Sequence, residues 1–93
     1  QAGIGTLTEF ARFGTDLFFA DIENDKVGIG TTTPNASAKL EIESTTQGFL
    51  KPRMTTVQRD AVLTPTAGLE VYNTTTNKMN FYNGSAWEAI TSA

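Results

Sequence analysis

Apolar and polar residues alternate in several short segments of the chain, and this period of two predicts β-strands. The alternation is clearest in residues 39–43, where Leu40 and Ile42 are expected to face a core while their charged neighbours face water. Gly, Asn and Thr are frequent between the segments, as is typical of turns. The pattern predicts a mainly β fold with strands in residues 10–13, 17–22, 27–30, 39–43, 69–73, 78–82 and 87–90.

Residues 17–22 are apolar on both faces of their predicted strand. Leu17 and Phe19 lie on one face, and Phe18 and Ala20 lie on the other. A strand of this kind must be covered on both sides. Few other segments of a 93-residue chain could provide both covers. We therefore expect neighbouring copies of the chain to provide them.

A short helix is predicted after Thr55. The Thr55 side chain can accept a hydrogen bond at the start of the helix, and Gln58, three residues later, completes a capping box. Val57 and Ala61 fall on one helical face because they are four residues apart, whereas Arg59 points elsewhere. A helix of about two turns is too short to be stable without tertiary packing.

The last third of the chain predicts a three-stranded antiparallel meander. Leu69 and Val71 share the apolar face of its first strand, whereas Asn80 and Tyr82 share the polar face of its second strand. Asn83-Gly84 lies between the second and third strands, and this dipeptide favours a two-residue type I′ hairpin.

Length and composition favour a small oligomeric structure. A chain of 93 residues is one domain at most, or a segment of something longer. It has no Cys and no His, so no disulfide and no metal framework is visible, and small chains without such supports commonly gain stability by oligomerising. A net charge of −3 argues against nucleic acid as a partner, and no apolar run approaches a membrane span. Because the chain starts with Gln1 rather than Met, we expect a processed piece.

One phrase occurs twice near the start of the chain. Residues Gly3–Thr8 return with one change, Leu7 to Thr32, as Gly28–Thr33, which begin 25 residues later. A period in this range predicts stacked supersecondary units, and hence an extended chain that spans distance.

These phrases carry a resemblance to a known family. Residues 27–34, followed by residues 39–42, resemble the repeat of bacteriophage tail fibres and related bacterial fibre proteins. A second module of such proteins is similar, in the same order, to residues 48–55, 58–61, 68–73 and 81–87. The resemblance covers residues 27–90 and implies a trimeric, β-rich, intertwined architecture. Such proteins often carry a C-terminal self-cleaving chaperone domain, which nothing in this sequence resembles.

Candidate chemistry in the chain is weak. The Gly28-Ile29-Gly30 phrase lacks the third Gly of the dinucleotide fingerprint and precedes a strand pattern, so structural glycines are favoured. Asp21, Glu23 and Asp25 alternate, but the Gly and Glu of a calcium loop are missing, so a solvated turn is favoured over a Ca²⁺ site. Ser and Thr have no His or Cys to activate them. We expect no enzyme activity, no catalytic or metal site and no cofactor.

Three aromatic residues are candidates for recognition. Tyr72, Tyr82 and Trp87 could form an aromatic platform for a glycan, although such rings also pack at cores and subunit interfaces, which is the favoured interpretation.

Arg53 follows a proline. It is expected to form a structural ion pair or to act as a cap partner rather than to form an anion site, with Asp60 and Glu70 as candidate ion-pair partners.

Together, these observations predict an intertwined homotrimeric fibre segment, mainly β with one short helix. Residues 1–46 would form a repeat-like shaft, and residues 47–93 would form a module with the helix and the meander. The expected function is to space and present a receptor-binding region of a phage tail or head fibre; the alternative is a module that binds a host glycan or receptor through residues 69–90. Expected partners are two further copies of the chain, adjoining fibre segments and a host surface glycan or protein. The expected location is the virion or, alternatively, a bacterial cell surface. The candidate trimer core is Phe10, Phe13, Phe18, Ile22, Ile29, Leu40, Ile42 and Leu50.

Overall fold

The computed structural model describes residues 12–14 and 17–91. The chain divides into two compact units, Gln1–Phe49 and Leu50–Ala93, and each unit contains one four-stranded sheet. The fold is mainly β with one short helix, which confirms the predicted class. The predicted roles of residues 1–46 as a shaft and 47–93 as a module stay predictions. The elements are β1 (Arg12–Phe13), β2 (Phe18–Asp21), β3 (Lys26–Ile29), β4 (Leu40–Ile42), β5 (Arg53–Met54), α1 (Thr56–Asp60), β6 (Glu70–Asn73), β7 (Lys78–Tyr82) and β8 (Trp87–Ala89).

The first unit is built on the sheet β1-β2-β3-β4, in which β4 lies parallel to β3 and the other neighbours are antiparallel. Residues 30–39 connect the parallel pair without forming a helix or strand. Side chains hold this connection in place. The Lys26 ammonium donates to the carbonyl oxygen of Ala36 at 2.8 Å. The Glu41 carboxylate accepts from the backbone and side-chain nitrogens of Asn35, at 2.7 and 3.0 Å.

Two glycines allow the connection to lie close to the sheet. A Cβ atom on Gly28 would overlap the carbonyl oxygen of Thr31 and lie 3.1 Å from the ring of Pro34. Gly30 has a φ of +83°, and a Cβ atom there would overlap the carbonyl oxygen of Glu43. Both positions therefore exclude any side chain. The structural interpretation of the Gly-Ile-Gly phrase is confirmed.

The connection packs on the side of the sheet that carries Phe19, Gly28 and Glu41, which pair with one another across β2, β3 and β4. Phe19 is buried there, and Glu41 is half-buried. Within a single chain, Leu40 and Ile42 are 51% and 38% exposed. That they face a core between chains stays a prediction. They lie on the opposite side of the sheet from the connection.

The second unit contains the predicted meander, because β6, β7 and β8 pair antiparallel in that order. The sequence did not predict β5, which extends the sheet by pairing parallel to β6. The backbone nitrogen of Tyr72 donates to the carbonyl oxygen of Pro52, and that of Thr74 donates to Met54, both at 2.8 Å. A strand of two residues beside a proline is too short to show alternation, so the sequence does not reveal it. Its extended backbone is fixed by pairing with β6.

The hairpin between β7 and β8 differs from its prediction. Tyr82 pairs with Trp87, so four residues form the loop and the prediction of a two-residue type I′ turn is wrong. The side-chain oxygen of Asn83 accepts from the backbone nitrogens of Ser85 and Ala86, at 2.7 and 2.9 Å. The hydrogen bonds of the Asn83 side chain close this loop, whereas the predicted type I′ turn would have needed two consecutive residues in the left-handed conformation.

The helix α1 has the predicted capping box. The Thr55 hydroxyl accepts from the backbone nitrogen of Gln58 at 3.2 Å, and the Gln58 side chain accepts from the backbone nitrogen of Thr55 at 2.9 Å. The helix has five residues, so it is shorter than predicted. Its orientation is also the reverse of the expectation: Val57 and Ala61 are exposed, whereas Arg59 is turned towards the sheet. The reason is a polar network, described below, that takes the place of an apolar helix–sheet contact.

Candidate self-association surface

The first sheet has one face that consists entirely of apolar residues. In the register of the sheet, Ala20, Val27 and Leu40 pair in one row, and Ile29 pairs with Ile42 in the next. Residues that pair across strands project to the same side, and Phe18 joins them because it lies two residues before Ala20. We call this surface the apolar face; it comprises Phe18, Ala20, Val27, Ile29, Leu40 and Ile42.

The apolar face is only partly covered within one chain. Its four residues on β2 and β3 are half-buried, and the two on β4 are exposed. A groove of about 310 Å³ lies at one end of it, lined by Leu17, Ile29 and Ile42 together with polar residues that include Glu43 and Gln47. Exposed apolar surface of this extent, rimmed by polar side chains, marks a place where another molecule binds.

The rest of the described structure has little apolar core. Among residues 12–14 and 17–91, Phe19 and Val71 are the buried apolar side chains. Among the described residues, each four-stranded sheet thus has about one such side chain, which is little burial for a chain of this length. Ten large apolar side chains are exposed: Leu17, Ile22, Leu40, Ile42, Phe49, Leu50, Val57, Leu63, Leu69 and Ile90.

The structure brings together half of the residues that the sequence assigns to a trimer core. Phe18, Ile29, Leu40 and Ile42 lie on the apolar face. Ile22 follows the end of β2 and is exposed.

The remaining core candidates lie elsewhere. Leu50 is exposed and belongs to the second unit. The backbone of Phe13 pairs with Phe18, and Phe10 lies outside the described residues. The list of core candidates left out Ala20 and Val27, although alternation places Ala20 on the side of Phe18 and Val27 on the side of Ile29. The register of the sheet adds that these two strand faces are the same side.

A polar network stands at the centre of the second sheet. Asn73 and Asn80 are its most deeply buried side chains, at 1% and 2% exposed. The side-chain nitrogen of Asn73 donates to the Asn80 carbonyl oxygen and to the Thr56 hydroxyl, both at 2.9 Å. The Arg59 guanidinium donates to the same Asn80 oxygen at 2.9 Å. The helix is thus attached to the sheet by hydrogen bonds through Thr56 and Arg59.

Sequence reasoning missed this network because it placed Asn80 on the polar face of its strand, which was not expected to be buried. One signal was present: Asn73 lies two residues after Val71 and therefore shares its inward side. The Asn73 side-chain oxygen also accepts from the backbone nitrogens of Thr75 and Thr76, at 2.8 and 3.3 Å. It therefore closes the turn after β6 as well as tying down the helix.

Two of the three candidate glycan-binding aromatics lie together. The rings of Tyr82 and Trp87 meet edge to face, with centroids 5.4 Å apart, and the guanidinium of Arg59 lies 5.4 Å from the centroid of the Trp87 ring. Tyr72 pairs with Met79 and lies on the opposite side of the sheet. The structure therefore does not assemble a platform from all three rings. The cation over Trp87 and its edge contact are consistent with packing, and glycan binding stays a prediction.

The acidic turn after β2 makes hydrogen bonds within the chain. Asp21 accepts from the backbone and side-chain nitrogens of Asn24, and these bonds lower the pKa of the Asp21 carboxyl. Asp25 pairs with the ammonium of Lys39, which lowers the pKa of the Asp25 carboxyl. No group of three acidic, His or Cys side chains that could hold a metal ion occurs in the part of the chain that the structure describes.

The two carboxylates predicted as partners of Arg53 bind other cations. Glu70 pairs with Lys51 at 2.7 Å, and Asp60 pairs with Arg59 at 2.8 Å. Arg53 itself is exposed on the edge strand β5.

The fold and its surfaces define a class before any comparison: a small β-rich chain in which ten large apolar side chains of the described residues are exposed. No helix within the described ranges is long and apolar enough to cross a membrane. The chain belongs to the family described as the phage tail like trimerisation region, whose model matches residues 28–93. Neither the comparison with curated proteins nor that with solved structures finds a match. The family description supports a structural, self-associating virion component.

Proposed function

We propose that this chain is a structural segment of a homotrimeric phage tail-like fibre, which spaces and presents a receptor-binding region. The observation that carries the proposal is the apolar face of the first sheet in a member of a trimerisation family. Self-association places this face against other copies of the chain. Adjoining fibre segments are the further partners, and the virion is the location; a bacterial surface fibre is the alternative location.

The physical basis is a core shared between chains. Fully burying a Leu or Ile side chain stabilises a structure by about 1.5–3 kcal/mol relative to leaving it exposed. Leu40 and Ile42, already partly covered, would each add roughly half of that value, and each does so three times in a trimer. In an assembly of this kind, opening one chain would also expose the apolar side chains that it buries on its neighbours, so local opening is costly.

The test is the mass of the chain in solution, measured by light scattering at micromolar concentration. The wild-type chain is expected to give the mass of a trimer. Leu40→Asp places a charge on the apolar face and is expected to yield smaller species. Leu63→Asp is the matched control, because Leu63 is 87% exposed in the second unit and should retain the trimer.

A wild-type chain that stays monomeric at micromolar concentration would overturn the proposal. A trimer that is equally insensitive to both substitutions would show that the apolar face is not the interface, although the chain self-associates.

A further inference from the structure

The second sheet has a face that the helix does not contact. The helix touches the side of Asn73 and Asn80, so the residues that alternate with these project to the opposite side. We call this opposite side the meander face; it comprises Arg53, Glu70, Tyr72, Met79, Phe81 and Glu88.

The meander face has the layout of an interface. Tyr72, Met79 and Phe81 form its centre and are half-buried within one chain, whereas the charged residues around them are exposed. An apolar and aromatic centre with a charged rim is the usual arrangement of a protein–protein contact.

The two edges of this sheet carry opposite charges. In the strand order β5-β6-β7-β8, the edge strands are β5, with Arg53, and β8, with Glu88. Lys51 lies just before β5 and pairs with Glu70. The Glu88 carboxylate accepts from the side chain of Asn83 and is otherwise exposed at its edge. Each chain thus presents a basic edge and an acidic edge on the same side of one sheet.

Threefold symmetry makes use of such a pair of unlike edges. Every interface of a cyclic trimer is heterologous, so the surface on one chain must fit a different surface on the next. We propose that the meander face is a second self-association surface, in which Arg53 on the β5 edge of one chain pairs with Glu88 on the β8 edge of the next. The half-buried aromatic centre is then covered by neighbouring copies. This inference rests on the proposed homotrimer.

The Arg53–Glu88 pair is expected to strengthen the trimer only modestly, whereas reversing one of the two charges is expected to weaken the trimer more. An exposed ion pair contributes about 0–1 kcal/mol, but symmetry repeats it three times. Reversing one charge replaces three attractions by three repulsions. We therefore expect the concentration at which half the chains are trimeric to rise about tenfold or more.

The experiment compares four variants with the wild-type chain by sedimentation equilibrium over a range of concentrations. Arg53→Glu and Glu88→Arg are each expected to weaken the trimer, and the double variant Arg53→Glu/Glu88→Arg to restore it, because the two charges exchange places. Lys78→Glu is the control: it makes the same change of net charge on the opposite side of the sheet, beside Asn73 in register. Lys78→Glu should leave assembly near the wild-type level.

Recovery in the double variant would support an interchain pair, since loss of the Asn83 contact to Glu88 would persist in it. The inference is overturned if the double variant is as weak as the single ones, or if Arg53→Glu behaves like Lys78→Glu. A wild-type chain that does not form a trimer would instead overturn the proposed function.

Discussion

At the scale of single residues, two asparagines have the role that apolar side chains have in most small sheets. Asn73 and Asn80 are more deeply buried than any described apolar side chain. Their hydrogen bonds are directional, so they fix which helix residue faces which strand. A small apolar contact would allow several arrangements of so short a helix. The main effect of the network is therefore to fix the position of the helix on the second sheet, rather than to bury apolar surface.

Replacing Asn80 by Ala tests this role. The Arg59 guanidinium and the Asn73 amide both donate to the Asn80 oxygen and would lose that acceptor. We expect the free energy of unfolding to fall by about 1–3 kcal/mol, the cost of leaving buried donors unpaired. The measurement is urea unfolding at a fixed protein concentration.

Lys78→Ala is the control, because Lys78 is exposed two residues earlier on the same strand. Surface substitutions of this kind usually change stability by less than about 0.5 kcal/mol. If the two substitutions cost the same, the network is not a stabilising element.

The sequence predicted correctly an interaction between residues that are only a few positions apart. The capping box formed by Thr55 and Gln58 depends on a spacing of three, which the sequence displays directly. The role of Asn80 depends on Arg59, twenty-one residues away. No local pattern reports that contact, so the sequence predicted only that Asn80 lies on the polar face of its strand.

At the scale of elements, the connection between β3 and β4 is the unusual feature. A parallel pair commonly requires a crossover of a dozen or more residues, often with a helix. Here residues 30–39 suffice because Gly28 and Gly30 allow the chain to lie against its own strands. The sequence predicted both strands and the structural glycines. It could not predict that the strands pair in parallel, because apolar and polar residues can alternate in the same way in parallel and antiparallel strands.

Replacing Gly30 by Ala tests the turn. The residue has a φ of +83°, and a Cβ atom would overlap the carbonyl oxygen of Glu43. We expect the free energy of unfolding to fall by about 2 kcal/mol or more, since the left-handed conformation alone costs about 1–2 kcal/mol. Circular dichroism during thermal unfolding, at one concentration, measures the change.

Gly48→Ala is the matched control. A Cβ atom on Gly48 would meet nothing within 4 Å, and its φ is not in the left-handed region. Its substitution should be neutral or slightly stabilising. Equal losses for both variants would show that the close approach at Gly30 is not what holds the connection.

At the scale of the whole molecule, the central fact is how little apolar core the described residues form within one chain. Leu40 and Ile42 alternate as the inward side of a strand should, yet they are exposed in the single chain. The pattern therefore identifies side chains that require burial but does not say which chain buries them. The apolar face of the first sheet and the trimerisation family together point to burial between chains.

A shared core couples unfolding to dissociation, so thermal stability must depend on protein concentration. For a trimer, each tenfold rise in concentration favours the folded chains by about 0.9 kcal/mol per chain, two thirds of the value of one decade. For a chain of this size, that corresponds to a rise in Tm of about 4–7 °C. Calorimetry at three concentrations checks it. A Tm that stays constant would mean that each chain folds alone, in which case Phe19 and Val71 would have to suffice as the buried apolar side chains of the described residues.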